Sequence, residues 1–361
     1  MKKCILLLLT ITMLTMLTAC GNESQSVDEI STNELDSIEP TNYYSEETTS
    51  SNEEADIENE SSEDYEKETL EKNPQIAITG ALHRVEYGDN VAYLFGTMHA
   101  SRPNWFPLAD IVEDALRRSN VLAIEFTTLE MSGNEIRNVI RNVTYLPDEE
   151  RWYDIFSADV YEHLVETIQT WNVRFGRSMN PVHIMFHAEN MLSFDLANLS
   201  RFNTVDSYLE GVARALEIPI IGLATMEQQV SLLYNVPFDV MLDKIAKFMS
   251  REEFAEAFTY SPNLIDLAEF YENNDFVSIN EITRIDPQCC LYCTYIVEVL
   301  FKYRTTNFAN QVIRLLQETE EPTTFFVGIG FSHIIGSGRS DEFTDIVELL
   351  ELAGFEPQPL W

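Results

Sequence analysis

Hydrophobic and polar positions alternate where the folded part of the chain begins. ALHRVEY and VAYLF, on either side of Gly88-Asp89-Asn90, predict a β-hairpin. The second of these strands runs into Gly96-Thr97-Met98-His99, and residues 108–119 then carry apolar side chains at helical spacing. VLAIEF (121–126) is typical of a buried strand. The order is therefore strand, G-x-x-H turn, loop, helix, strand.

The C-terminal end repeats this order. TFFVGI predicts a strand, Gly330-Phe331-Ser332-His333 follows, and a helix is predicted over about 341–353, before Gly354. The chain from Phe355 onward can return as a last short strand. If the strands run parallel, both histidines lie at carboxyl ends of strands, where open α/β sheets bind ligands.

The span between the two units, about 130–204 and 235–310, is mostly helical in pattern and rich in aromatic residues. It predicts a helical cap over the sheet that controls access to a site. The predicted fold class is therefore α/β, with a mixed sheet built from two β–α–β units, each carrying a G-x-x-H turn, and a largely helical insertion or cap.

Residues 1–19 predict a lipoprotein signal peptide. A basic start, Met1-Lys2-Lys3, is followed by an apolar run that is too short for a comfortable membrane span. Leu17-Thr18-Ala19-Cys20 resembles a bacterial lipobox, in which Cys20 is lipidated and becomes the mature N-terminus. An ordinary signal peptide or an uncleaved anchor is the alternative. The prediction places the protein outside the cytoplasm, lipid-anchored to the bacterial cell membrane.

Much of the acidic charge lies next to this anchor. The chain holds 60 Asp+Glu against 23 Lys+Arg, a net charge of −37, and 18 of the acidic residues lie within 21–73. The span 20–73 has few apolar residues and predicts a disordered acidic tether, with a cation-binding tail as the alternative. Residues 74–361 are the predicted folded domain. The charge argues against nucleic acid as a partner, because nucleic-acid binding needs Lys and Arg to displace counterions.

The cysteines of the folded part are three in number and clustered. Cys289, Cys290 and Cys293 lie in the apolar stretch CCLYCTYIVEVLF, which is typical of a buried helix. Cys290 and Cys293 form a C-x-x-C, but no strand-to-helix turn bounded by glycine precedes it. Structural burial is the favoured interpretation, and a local disulfide or a metal role is the alternative.

The two G-x-x-H turns favour one shared site. A glycine at Gly96 and at Gly330 lets the backbone turn sharply off a strand and admits a ligand beside the imidazole. One such motif carries little information, because a lone histidine is more often structural. Two of them, each between an apolar strand and a helix, indicate that His99 and His333 meet.

At these residues the sequence resembles the TraB/GumN/PrgY family, whose animal relatives include the TIKI proteases. The resemblance covers about 80–361 and rests on five blocks in order: YLFGTMH with the following AIEF, Val205-Asp206-Ser207-Tyr208-Leu209, IPIIGLATMEQQVSLL, Arg304 with Phe308-Ala309, and FFVGIGFSHIIGSG. The chain departs from the family at two positions, where Ala224 stands in place of a glutamate and Thr305 in place of an asparagine. The glutamate of that block therefore cannot act here.

The resemblance implies a metal-assisted hydrolase-like site of His99, His333 and Glu125. Two imidazoles and a carboxylate with one open position are a known catalytic ligand set for Zn²⁺ and similar ions. The expected cofactor is a divalent transition metal of the Zn, Mn or Co class. Alternatively Glu125 is the general base and only the histidines bind the metal.

Two further residues have open roles. Arg304 either orients an acidic group or stabilises an oxyanion, and a surface ion pair is the alternative. Asp206 precedes an amphipathic helix, so it is either an N-cap or a site residue.

The predicted function is metal-dependent hydrolysis of a peptide or protein outside the cytoplasm. The alternative is a non-catalytic lipoprotein that binds and sequesters a secreted peptide. The expected partners are thus a peptide or protein and, through the N-terminal lipid, the membrane. The sequence leaves the substrate, the metal and the oligomeric state open.

Competing constellations have less support. His183 and His187 have the i, i+4 spacing of a zincin helix, but Ile184 occupies the position of the required glutamate. Gly330-Phe331-Ser332-His333-Ile334 lacks the final glycine of a nucleophile elbow. No dinucleotide fingerprint or P-loop is present, which excludes those nucleotide sites.

Overall fold

A computed structural model of the chain describes residues 75–147, 150–172, 175–260, 264–283, 290–335 and 344–361. The predicted signal peptide, Cys20, the tether 20–73 and Cys289 lie outside these residues. None of the helices in the described part is long and apolar enough to cross a membrane.

Six strands form one mixed sheet, which agrees with the predicted α/β class. They are β1 (His83–Tyr87), β2 (Asn90–Thr97), β3 (Val121–Phe126), β4 (Ile220–Ala224), β5 (Thr324–Gly330) and β6 (Gln358–Pro359). Their order across the sheet is β4-β3-β5-β2-β1-β6. β1 is antiparallel to both of its neighbours, and β2, β5, β3 and β4 are parallel. The predicted hairpin of β1 and β2 is confirmed, with Gly88 at φ 59° in its turn.

Helices make up most of the rest of the described chain. They are α1 (Asp110–Arg117), α2 (Gly133–Thr144), α3 (Trp152–Ile155), α4 (Ala158–Thr170), α5 (Pro181–Ala197), α6 (Val205–Ala215), α7 (Met226–Tyr234), α8 (Phe238–Ala246), α9 (Arg251–Tyr260), α10 (Leu264–Glu272), α11 (Phe276–Ile282), α12 (Leu291–Tyr295), α13 (Arg304–Glu318), α14 (Phe331–Ile334) and α15 (Ile346–Leu352). The π-helical segment Ile296–Tyr303 joins α12 to α13 without a break.

The two predicted β–α–β units share the central strands of the sheet. In the first unit β2 leads through α1 to β3, and β5 lies between these two strands. In the second unit β5 leads through α14 and α15 to β6 at the sheet edge. β5 is almost completely buried, because it is covered on both faces and paired on both edges.

Side-chain capping explains where two helices begin. Thr225 and Gln228 form a capping box at the start of α7, with each side chain bonded to the other residue's backbone N–H. The last helix begins at Ile346, later than predicted, because the Asp345 side chain accepts a hydrogen bond from the backbone N–H of Glu348.

Two helices deliver side chains to the sheet from opposite faces. A Cβ on Gly328 would lie 2.9 Å from Leu209, so α6 packs against the face to which residue 328 points. Ile124 is in register with Gly328 and shares this face, which leaves the next residue, Glu125, on the other face. Glu125 contacts Arg304 of α13 there. The carboxyl ends of β2, β3 and β5 therefore lie between α6 and α13.

The C-x-x-C opens the long helical segment that ends in α13. Cys293 is buried, as favoured from the sequence, and the structure also pairs it with Cys290 in a disulfide across the first turn. Burial thus holds for Cys293 but not for the half-buried Cys290, and the two are joined by the local disulfide that was the alternative.

We expect Gly96→Ala to lower the free energy of unfolding by about 1–3 kcal/mol, a typical cost of overpacking. The added Cβ would lie 2.7 Å from the Phe331 Cβ and 2.8 Å from its Cα, so backbone must move. Urea unfolding measures the change. Gly211→Ala in α6 is the matched control, since no atom lies within 4 Å of its added Cβ. Equal stability of the two variants would contradict the packing argument.

Candidate functional site

The two G-x-x-H turns pack directly against each other. Gly96 touches Phe331 of the second turn, and a side chain at position 96 would overlap both Phe331 and the Gly80 carbonyl. Neither Gly96 nor Gly330 has a positive φ. A left-handed backbone conformation is therefore not the reason for a glycine at either position. Each glycine instead permits a close approach between neighbouring groups.

His99, His333 and Glu125 surround Gly330. A Cβ at this position would lie 3.0 Å from Glu125 Oε1 and 3.7 Å from both His99 Nε2 and His333 Cδ2. All three side chains thus reach within 3.7 Å of one point at the carboxyl ends of β2, β3 and β5. The structure brings together the two histidines that the G-x-x-H turns predicted and the glutamate that the family resemblance implied.

His99 is oriented by Asp206. Its Nδ1–H donates to Asp206 Oδ2 at 2.7 Å, and Thr97 Oγ1 donates to Asp206 Oδ1 at 2.6 Å. The N-cap of α6 is Thr204, whose side chain accepts from Ser207 N, so the alternative of an N-cap role for Asp206 is wrong. Asp206 is the second residue of α6, in its first turn, and its carboxylate bonds to the first histidine.

The Asp206 carboxylate changes how His99 titrates. Burial lowers the pKa of His99, but the charge of Asp206, its hydrogen bond and the Glu125 charge raise the pKa to about 9. Burial raises the pKa of Asp206, yet His99 and the hydrogen bonds from His99 and Thr97 hold that pKa below its ordinary value. At neutral pH the pair is an imidazolium beside a carboxylate.

His333 is oriented by Thr305. The Thr305 hydroxyl lies 2.7 Å from His333 Nδ1, and the rings of Phe301 and Phe308 pack against the imidazole. Thr305 is one of the two departures from the family pattern, and its side chain is completely buried. A threonine thus supplies a hydrogen-bonding group to the second histidine from α13.

Glu125 is buried and paired with Arg304. Arg304 Nη2 donates to Glu125 Oε2 at 2.6 Å, and the backbone N–H of Gly330 donates to Oε1 at 2.8 Å. Burial raises the pKa of Glu125, but Arg304, His99 and His333 lower it below its ordinary value. Arg304 is 3 % exposed, so the alternative of a surface ion pair is wrong.

Two other donors of Arg304 are available within the described structure. Its Nε and Nη1 atoms are buried and have no hydrogen-bond partner there. Arg304 is the first residue after the π-helical segment Ile296–Tyr303, and π-helical segments are frequent at functional sites. Buried N–H donors that lack an acceptor are suited to a negative charge.

The second departure from the family pattern lies on the other side of β3. Ala224 is in register with Phe126 and shares its face of the sheet, which is the face opposite to Glu125. The missing glutamate therefore removes a carboxylate from the α6 side. The pair of Glu125 and Arg304 does not depend on it.

The space between these groups is small. A cleft with a volume of about 10 Å³ is lined by Thr97, Met98, His99, Glu125, Arg304, Gly330, Phe331, Ser332 and His333. That volume is close to what one water molecule needs. Only a single water-sized group fits among the charged side chains.

The donor set fits a metal ion, although its atoms are not gathered around one. Among the described residues, no three His, Cys, Asp or Glu side chains stand as a ready-made metal cluster. His99 Nε2 and Glu125 Oε1 are 3.9 Å apart, whereas two ligand atoms of a tetrahedral Zn²⁺ are roughly 3.3 Å apart, so the two groups must move closer together to share one ion. The hydrogen bonds at Nδ1 of both histidines leave Nε2 as the ligand atom, as is usual for metal-binding histidine.

Other candidate residues lie away from the site. His183 is buried in α5 with both ring nitrogens unpartnered within the described structure, and it packs on Tyr234. His187, one turn on, is exposed. Sequence reasoning missed the roles of Thr97 and Thr305. Thr97 lies inside the first G-x-x-H motif, and Thr305 is one of the two departures from the family pattern. Their positions in these motifs were the only indication in the sequence that they belong to the site.

Without metal, we expect the free energy of unfolding to fall as pH rises from 6.5 towards 9. The pKa of His99 rises from 6.5 to about 9 on folding, so its protonation stabilises the folded state. This contribution is fully present below pH 6.5 and is lost as the pH rises to about 9. The loss is on the order of 3 kcal/mol at most. Asp206→Asn should flatten this slope in urea titrations under chelator. An unchanged slope would contradict the pairing of His99 with Asp206.

Comparison with known proteins identifies the family of the chain. The sequence model of the TraB/PrgY/gumN family matches residues 81–359, a span that contains both G-x-x-H turns and Arg304. Comparison with curated proteins and with solved structures gives no match. The chain belongs to the TraB/PrgY/gumN family.

Proposed function

We propose that this protein is a metal-dependent peptidase that acts on a peptide or protein outside the cytoplasm. The observation that carries the proposal is the meeting of His99, His333 and Glu125 around Gly330. Each histidine has its own orienting partner, and these partners come from helices on opposite faces of the sheet. Hydrolysis of a peptide, as the name of the TIKI relatives suggests, is the reaction we assign to this set.

His99, His333 and Glu125 would hold a divalent transition metal of the Zn, Mn or Co class. When bound, such an ion polarises a peptide carbonyl and makes water a better nucleophile. The imidazolium form of His99 must lose its proton first, so binding should release protons. Asp206 would then act on His99 as the orienting carboxylate that metal-binding histidines usually have.

Arg304 supports the reaction in two ways. Its Nη2 holds the Glu125 carboxylate in place, which keeps this group ionised and aimed at the histidines. Its buried Nε and Nη1 donors suit the negative charge that develops on a carbonyl oxygen during hydrolysis. Because the cleft takes about one water-sized group, the rest of a peptide must bind outside it.

The same proposal includes the location predicted from the N-terminus. In this proposal Cys20 carries the lipid anchor. The acidic segment 20–73 holds the domain away from an anionic membrane, and the negative charge of the chain disfavours nucleic acid as a partner. Labelling with a radioactive fatty acid tests the anchor, and Cys20→Ala should abolish the label.

The second candidate is a non-catalytic protein that sequesters a secreted peptide. It is favoured by the state of Glu125, because both carboxylate oxygens already accept hydrogen bonds and the pKa is low. Such a carboxylate is a weak base. The two candidates differ in whether bound peptide is cleaved.

We expect the purified protein to bind about one Zn²⁺, Mn²⁺ or Co²⁺, and His99→Ala and His333→Ala each to abolish binding. Asp206→Asn, which removes only an orienting group, should weaken binding about 10–100-fold. Calorimetry with each metal measures the affinity. His187→Ala is the control, since this exposed histidine lies outside the site. Equal affinity in all four variants would overturn the shared site.

We expect cleavage of a peptide library by the wild-type protein, loss of cleavage under chelator, and loss of at least roughly 100-fold in rate in Glu125→Gln. Mass spectrometry of the products measures this. Glu189→Gln is the matched control, because Glu189 is also a buried carboxylate in an ion pair, with Lys244 of the cap. Tight binding without cleavage, unaffected by chelator, would instead support the sequestering protein.

A further inference from the structure

We propose that Tyr271 is a positioning residue, which fixes the first G-x-x-H turn from the helical cap and thereby sets the orientation of His99. Tyr271 lies near the end of α10, and its hydroxyl donates a hydrogen bond to the Gly96 carbonyl at 2.6 Å. The side chain is completely buried. Gly96 is the first residue of the motif, so this bond joins the cap to the motif's backbone.

The ring of Tyr271 also contacts the second turn. Its centroid lies 5.6 Å from that of Phe331, which belongs to Gly330-Phe331-Ser332-His333, and 5.4 Å from that of Trp105. Phe331 in turn packs on Gly96. A single side chain of the cap therefore holds the point at which the two turns meet.

Short bonds connect this point to His99. The Gly96 N–H donates to the Gly80 carbonyl at 2.6 Å, so the peptide groups at residue 96 are held on both sides. The next residue, Thr97, donates to Asp206, and Asp206 accepts from His99. A rotation of the peptide between residues 96 and 97 would move the group that orients the imidazole.

The adjacent residue keeps Tyr271 in place. Glu272 Oε1 accepts from Arg102 Nη1 at 2.7 Å and from Trp105 Nε1 at 2.6 Å. The end of α10 is thus fastened to the loop that follows the first turn. Burial raises the pKa of Tyr271 well above 10, so the hydroxyl stays protonated and remains a donor.

Tyr271→Phe isolates the proposed contact, because it removes the hydroxyl and keeps the ring. The matched control is Tyr292→Phe, since Tyr292 is also a buried cap tyrosine and its hydroxyl has no partner within the described structure. The readout is the imidazole ¹H and ¹⁵N signals of His99 in the metal-free full chain.

We expect Tyr271→Phe to shift or broaden the His99 Nδ1–H signal and Tyr292→Phe to leave it unchanged, with both variants unfolding cooperatively. Wild-type His99 signals in Tyr271→Phe would overturn the proposal. If that variant does not fold, Glu272→Ala, which removes the acceptor of Arg102 and Trp105, is measured in the same way, and wild-type signals there would also overturn it.

A kinetic measurement rests on the proposed function. In the cleavage assay, Tyr271→Phe should lower kcat at least about tenfold with little change in KM, because the substrate still binds while the catalytic group is misplaced. Equal losses in Tyr271→Phe and Tyr292→Phe would contradict positioning. If the wild-type protein cleaves nothing, the peptidase proposal fails, and the His99 signals still decide the role of Tyr271.

Discussion

A buried carboxylate, Glu125, is the constraint on which the rest of the site depends. Removing a charge from water is costly unless charged or hydrogen-bonding partners compensate it. Here Arg304 and the Gly330 backbone provide both, and the nearby histidines favour the charged form further. The arginine comes from α13 and the glycine from β5, so the strand ends and this helix must meet before Glu125 can be buried.

The two histidine turns are not equivalent, although their sequences are alike. His99 turns to the α6 side and pairs with a carboxylate, whereas His333 turns to the α13 side and meets a neutral hydroxyl. One imidazole is therefore strongly biased towards its charged form by a full negative charge. This asymmetry suits a site in which the groups have different tasks at one pH.

The helical cap completes the site. Its helix α12 and the π-helical segment lead into α13, which begins with Arg304. Its helix α10 supplies Tyr271, which reaches the backbone of the first turn. The cap also carries its own buried ion pair, Glu189 with Lys244, which anchors α5 to α8 away from the chemistry. Cap and sheet are thus joined through hydrogen bonds at the site, so a change in the cap can alter the orientation of the catalytic-type groups.

By itself the sequence determined the α/β class, the hairpin, the strand 121–126 and the meeting of the two G-x-x-H turns, because periodicity and glycine spacing are local signals. Glu125 entered the predicted site through the family resemblance. Only the tertiary structure decided that Gly96 serves close packing, that Asp206 and Thr305 orient the histidines, and that Arg304 is buried. The hydrogen bonds among these residues join positions from 28 to 179 apart in the chain. Such contacts depend on which face of the sheet each of the helices α6 and α13 covers. No local sequence pattern encodes that choice.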